Sequence, residues 1–414
     1  MPPPRVTRIL IVDDSAVMRS LLRSVVTSDA RLEVAGTASD GASALRAMDS
    51  LNPDLILLDV EMPVMDGLST LKQMKAKGRR EPVIMCSSLT QRGAKVTIEA
   101  LASGAADYVA KPSGQASREA AVQSLAQDLI PKIIALTASQ LPVQDNILGH
   151  QGIFSLPPGT GSGAGLTGSA RLIPLAPRSQ PEFRMPGIFA PSAPLATQVI
   201  ISAPGVLLIG VSTGGPAALD VLLPALPASF PLPVLVVQHM PELFTKLLAE
   251  RLDLRCPLHV VEAVSGQQIR SGTIYIAKGN WHMEVSATES LSAAHGGLPA
   301  AILRLTQAPL ENHCRPAVDV LFRTAVAVYG SRALGVVLTG MGSDGMLGCR
   351  LIREHNGTVL AQDQPTSAVW GMPGAVVQAG LAHRILPLNA IASEILRLAG
   401  RGQREAFELR ESAV

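Results

Sequence analysis

The chain has 414 residues, 3% aromatic, with a formal net charge of +2 and four cysteines. That length predicts two domains, each large enough to bury its own, necessarily aliphatic, core, and near-neutrality without a long basic run argues against nucleic acid as the main partner. Cys86, Cys256, Cys314 and Cys349 are widely spaced without a Cys-x-x-Cys pair, which argues against a zinc site and reads as reduced thiols, and the N-terminal apolar run stops at Asp13-Asp14, too short for a signal peptide or membrane span. The expected location is therefore the cytoplasm, without membrane insertion.

In chain order, Ile9 to Val12, Leu32 to Gly36, Leu55 to Leu58, Val83 to Met85 and Tyr108-Val109 read as five short strands. Helical stripes lie between them, such as Met18, Leu21, Leu22, Val25 and Val26, and a last helix is expected near Glu119 to Leu136. Strand and helix in alternation predict a doubly wound parallel sheet, whose carboxyl edge is where a site forms. That edge carries Asp13-Asp14 after strand one, Asp59 after strand three, Ser87-Ser88 after strand four and Lys111-Pro112 after strand five. Three carboxylates gathered there repel one another unless a cation sits among them, and hard oxygen ligands suit Mg²⁺.

Together with Leu58-Asp59-Val60-Glu61-Met62-Pro63-Val64-Met65-Asp66-Gly67, these residues resemble a response-regulator receiver domain of flavodoxin-like fold over residues 6–136. The resemblance implies that Asp59 accepts a phosphoryl group and that Asp13, Asp14 and Asp59 hold Mg²⁺, with the backbone carbonyl of Glu61 completing the site. It further implies that Ser87 meets the phosphoryl oxygens, that Lys111 pairs with them and that Tyr108 changes rotamer on activation.

From Ser139 to Pro204 the only acidic residues are Asp145 and Glu182, amid many Pro, Gly and Ser. No period of 2 or 3.6 survives, so residues 139–204 are expected to be a flexible linker unable to bury enough apolar surface to offset ordering.

A second α/β domain is expected over residues 205–398, again a doubly wound parallel sheet, with a polar tail over 399–414. Val206-Leu207-Leu208-Ile209 leads into Gly210-Val211-Ser212-Thr213-Gly214-Gly215 and a helix from near Pro216, the strand–turn–helix layout of an exposed serine nucleophile. Val234-Leu235-Val236-Val237 ends in Gln238-His239-Met240-Pro241, and Leu334 to Leu338 ends in Thr339-Gly340-Met341-Gly342-Ser343-Asp344-Gly345. If these strands are parallel, Ser212, His239 and Asp344 share one edge, as nucleophile, base and orienting acid require.

These three stretches resemble the active-site motifs of the chemotaxis protein-glutamate methylesterases, from about Pro204 to Leu398. The resemblance implies a triad of Ser212, His239 and Asp344, with an oxyanion bound by backbone N–H groups of Thr213 and Met341. It implies methyl-ester hydrolysis and glutamine deamidation on methyl-accepting chemotaxis receptors, with a chemotaxis histidine kinase as phosphodonor and no cofactor for the ester chemistry. An unphosphorylated receiver domain would cover the cleft. The resemblance places Arg315 at the cleft mouth as a possible substrate contact; the alternative reading is a solvated Arg315 with Asp319 capping the helix that follows. Lys278 and Asn280 depart from the family pattern, and His282 reads as structural rather than as a second base.

Overall fold

The computed structural model describes residues 5–88, 90–112, 117–138, 203–288 and 300–411. Apart from Ala203 and Pro204, the expected linker lies outside the described residues. The first domain runs β1 (Thr7–Val12), α1 (Ala16–Thr27), β2 (Leu32–Ala38), α2 (Gly41–Leu51), β3 (Leu55–Asp59), α3 (Gly67–Ala76), β4 (Val83–Ser87), α4 (Gln91–Ala102), β5 (Asp107–Ala110) and α5 (Arg118–Ala138). Its sheet has the order β2-β1-β3-β4-β5, all parallel, so the five expected strands are present and short by only one or two residues at their ends. Central β3 and β4 are buried throughout, as continuous apolar runs flanked by helices on both faces must be.

The second domain runs β6 (Val206–Val211), α6 (Gly215–Leu222), β7 (Val234–Gln238), α7 (Glu242–Asp253), β8 (His259–Glu262), β9 (Thr273–Ile276), β10 (His282–Ala287), β11 (Ala301–Thr306), α8 (Val318–Tyr329), β12 (Ala333–Val337), α9 (Met346–Glu354), β13 (Thr358–Gln362), α10 (Met372–Gln378), β14 (Arg384–Leu386) and α11 (Leu388–Glu411). Seven strands form a parallel sheet ordered β14-β13-β12-β6-β7-β9-β8, while β10 and β11 pair as an antiparallel ribbon beside it. Strand order reverses at β6, which lies between β12 and β7, and a crevice at the carboxyl ends of such a switch point is where open α/β sheets bind ligands.

The stretch expected to be a polar tail continues α11, which is helical through Glu411. One expectation is corrected. Asp319 does not cap the helix after Arg315-Pro316: it lies within the first turn of α8, whose N-cap residue Ala317 makes no side-chain cap bond. The described residues of the two domains also pack directly on each other as one compact unit. Helices α4 and α7 meet there, and the rings of Tyr108 and Phe244 stack with centroids 4.6 Å apart.

Candidate active site

Parallel pairing of β6 with β7 and with β12 brings the three expected residues to one edge. Pairing continues past the strand ends: His239 N–H donates to Val211 O at 3.2 Å and Ser212 N–H to Thr339 O at 3.0 Å. The serine therefore sits between the histidine strand and the aspartate loop. Its turn is locked from below, because Ser212 O accepts from Gly215 N–H at 2.8 Å and from the Gln238 amide at 3.0 Å. Two glycines are needed here. Gly214 has φ +78°, where an L side chain is strained, and a Cβ on Gly340 would lie 2.8 Å from Ser212 Cβ and 2.4 Å from Met372 Sδ.

His239 Nε2 lies 2.8 Å from Asp344 Oδ2, with the two side chains 12% and 3% exposed. Asp344 is held by four more donors: Val318 N–H at 2.7 Å on Oδ2, and Asp319 N–H at 3.0 Å, Gly345 N–H at 2.9 Å and the Asn312 amide at 2.8 Å on Oδ1. Burial raises the Asp344 carboxyl, but the hydrogen bond and charge of His239 and the backbone N–H groups outweigh it and hold it below the usual carboxylate range. For His239, burial lowers the imidazole while the hydrogen bonds to Asp344 and Cys314 raise it, and the balance pushes it up to about 9. Its other ring nitrogen, Nδ1, faces Cys314 Sγ at 3.7 Å. Among the described residues Ser212 Oγ makes no hydrogen bond, and the backbone N–H groups of Thr213 and Met341 donate to no protein acceptor, so both remain available to an incoming oxygen.

Arg315 directs its guanidinium inward, to Asn280 Oδ1 at 2.9 Å and to the carbonyls of Gln307 and Ala308 at 3.0 and 2.8 Å. Asn280 reciprocates at the backbone, its N–H donating to Arg315 O at 3.0 Å with φ +62°. The two family departures thus have structural partners, since Lys278 pairs with Glu242 at 2.7 Å. His282 is buried, Nε2 against Pro309 O at 3.0 Å and Nδ1 accepting from Ala317 N–H at 3.3 Å, which leaves it no role as a base.

At the first domain's carboxyl edge, oxygens of Asp13, Asp14 and Asp59 lie within 4.8 Å of one another. Lys111 Nζ bridges Asp13 Oδ2 at 2.8 Å and Asp59 Oδ1 at 2.7 Å. Burial, with the Asp13 charge adding to it, outweighs the Lys111 contacts and raises the Asp59 carboxyl. Ser87 Oγ donates to Ser88 O at 3.1 Å and accepts from Thr97 Oγ1 at 2.7 Å. Tyr108 is buried against Phe244, with the Lys132 ammonium 5.3 Å from its ring centroid.

The two sites are joined by bonds that sequence reasoning missed. Thr213 Oγ1 donates to Asp107 Oδ2 of β5 at 2.6 Å, and Gly214 N–H donates to Ala106 O at 3.0 Å. The turn behind Ser212 is thereby tied to the segment that carries Tyr108. No pattern in either stretch signals a partner more than a hundred residues away.

Fold and sites together define a response regulator: a receiver domain packed on an α/β effector domain with a serine, histidine and aspartate at its switch point. The family model for CheB methylesterase matches residues 207–395 and that for the response regulator receiver domain residues 9–123. A protein-glutamate methylesterase/protein-glutamine glutaminase of Nocardioides sp. (strain ATCC BAA-499 / JS614) is 46% identical, covering 95% of this chain and 96% of its own. One of the same name from Trichodesmium erythraeum (strain IMS101) is 42% identical, covering 95% and 99%. The crystal structure of the Thermotoga maritima CheB methylesterase catalytic domain is 39% identical with a TM-score of 0.45, covering 48% of this chain and all of that one. The chain belongs to the CheB protein-glutamate methylesterase family.

Proposed function

We propose that this chain is a phosphorylation-controlled serine esterase that hydrolyses glutamyl methyl esters, and deamidates glutamines, on chemotaxis receptors, giving sensory adaptation. The observation that carries the reading is the buried His239–Asp344 hydrogen bond of 2.8 Å on the strand edge beside Ser212. Because Asp344 occupies Nε2, the Ser212 proton would go to Nδ1, which must first leave its 3.7 Å contact with Cys314 Sγ. As Ser212 Oγ attacks the ester carbonyl, negative charge grows on the carbonyl oxygen, where the unpaired N–H groups of Thr213 and Met341 would stabilise it. His239 then returns the proton to the departing methoxide. Methanol leaves, and a water activated by the same histidine releases glutamate and regenerates Ser212. With a glutamine substrate the leaving group is ammonia.

Control would come from Asp59 as the phosphoryl acceptor, with a chemotaxis histidine kinase as donor. The residues fit a divalent cation such as Mg²⁺: oxygens of Asp13, Asp14 and Asp59 gather within 4.8 Å, and the Lys111 ammonium, 2.8 Å from the buried Asp13 Oδ2 and 2.7 Å from Asp59 Oδ1, is a single positive charge among three carboxylates. Bound at Asp13, Asp14 and Asp59, Mg²⁺ would offset the charge of the incoming phosphoryl group. Lys111 and Ser87 would then follow the phosphoryl oxygens, and the Tyr108 and Asp107 contacts to the effector domain would loosen. The test is methanol release from methylated receptor membranes. Ser212→Ala is expected to keep the fold and to fall well below about a thousandth of the rate, since removing a triad nucleophile costs about a millionfold. A variant retaining more than about a thousandth overturns the nucleophile assignment.

A further inference from the structure

A second buried carboxylate lies behind Asp344. Asp319 is 1% exposed and sits on the first turn of α8; its Oδ1 accepts from Gly348 N–H, in the first turn of α9, at 2.7 Å. Asp344 immediately precedes α9 but accepts the N–H groups of Val318 and Asp319, which open α8. Each aspartate therefore satisfies unpaired N–H groups at the start of the helix that the other belongs to or precedes, and the two helices are cross-pinned at their N-termini. Between the carboxylates stands Asn312, whose single amide nitrogen donates to Asp344 Oδ1 at 2.8 Å and to Asp319 Oδ2 at 2.9 Å. An amide NH₂ has two hydrogens, one for each. The Asn312 loop is itself tied to α8, since Glu311 takes both ends of the Arg323 guanidinium at 2.9 Å.

We propose that Asp319 and Asn312 are positioning residues for the esterase reaction, holding Asp344 Oδ1 so that Oδ2 stays on His239 Nε2. This rests on the reading of His239 and Asp344 as base and orienting acid. The physical reason is rotational. A carboxylate bound only at Oδ2 could swing about its Cβ–Cγ bond and take the imidazole with it, and a small displacement of the base costs much of the rate. Three donors on Oδ1 stop that swing, and one of them, the Asn312 amide, keeps its own orientation through Asp319. Burial pushes the Asp319 carboxyl up to about 6, the nearby Asp344 charge adding to that, so the arrangement keeps two mutually repelling carboxylates buried together. For a fold alone an apolar pair would serve.

The experiment is a set of mutant cycles in the full chain, assayed with an activated aryl ester. Asn312→Gly removes the amide from an exposed residue and suits its φ of +52°, so it is expected to fold normally; Asp319→Asn keeps size and an oxygen for Gly348 N–H but puts an NH₂ where Asn312 donates. Each is expected to lower kcat about tenfold to a hundredfold with KM unchanged, because the substrate is untouched. In an Asp344→Asn background neither should lower the rate further, since both act through Asp344. Losses that multiply with Asp344→Asn, or full kcat in both single variants while Asp344→Asn is inactive, would overturn the positioning role alone. Wild-type activity in Asp344→Asn would overturn the triad reading and this inference with it.

Discussion

Asp107→Ala isolates the tie between receiver and nucleophile turn. The substitution removes the carboxylate that accepts from Thr213 Oγ1 at 2.6 Å across the domain boundary. It also removes the 2.8 Å bond from Tyr108 N–H, but that bond is internal to the receiver and is lost equally whether the domains are docked or apart. Lys132 keeps its nearer partner, Asp128 at 2.9 Å, against 3.9 Å to Asp107, so no buried cation is stranded. A hydrogen bond to a charged acceptor contributes roughly 1.5–3 kcal/mol, and the ratio of docked to undocked molecules should fall by about tenfold to a hundredfold. If the docked receiver restrains the esterase, the unphosphorylated variant releases methanol faster by that factor, up to the ceiling set by the phosphorylated wild-type enzyme. The rate with saturating phosphodonor should not change, because Asp107 touches no reacting atom. An unphosphorylated rate equal to that of the wild type, in a variant that still responds to phosphodonor, would refute the idea that this bond contributes to restraint.

Two further outcomes are expected. Asp59→Asn should take up no radiolabel from a small phosphodonor in Mg²⁺, because an amide is a poor nucleophile; label retained by the variant would move the acceptor to Asp13, Asp14 or Asp66. His239, raised from 6.5 to about 9, must lose its proton to act as a base, so kcat/KM should climb as pH rises through about 9. The linked stability has the opposite sign: the His239 contribution is complete below about pH 6.5 and is lost as pH rises through about 9. Ring-proton NMR titration of His239 in the Ser212→Ala background checks the shift, and a midpoint at or below 6.5 would refute it.

The linear order of residues determined the two sheets and their chemistry-bearing edges. Apolar runs such as Val206–Val211 and Val234–Gln238 are buried end to end, so they were legible as central strands, and whatever follows a parallel strand must lie at its carboxyl edge. That topological constraint is why Ser212, His239 and Asp344, or Asp13, Asp59 and Lys111, could be grouped before any coordinates. What only the tertiary structure decided is which atoms meet. Asp319 reads as a local cap, yet it binds Gly348 on another helix; Asn312 carries no motif, yet it joins two buried carboxylates. Arg315 reads as a substrate contact or a solvated cation, yet its donors go to Asn280 and two carbonyls. The receiver's hold on the Ser212 turn, through Asp107 and Ala106, joins residues more than a hundred positions apart. Strand period and turn chemistry are local and repeat along the chain, whereas a hydrogen bond between loops depends on how helices pack against both sheets, which no local pattern encodes.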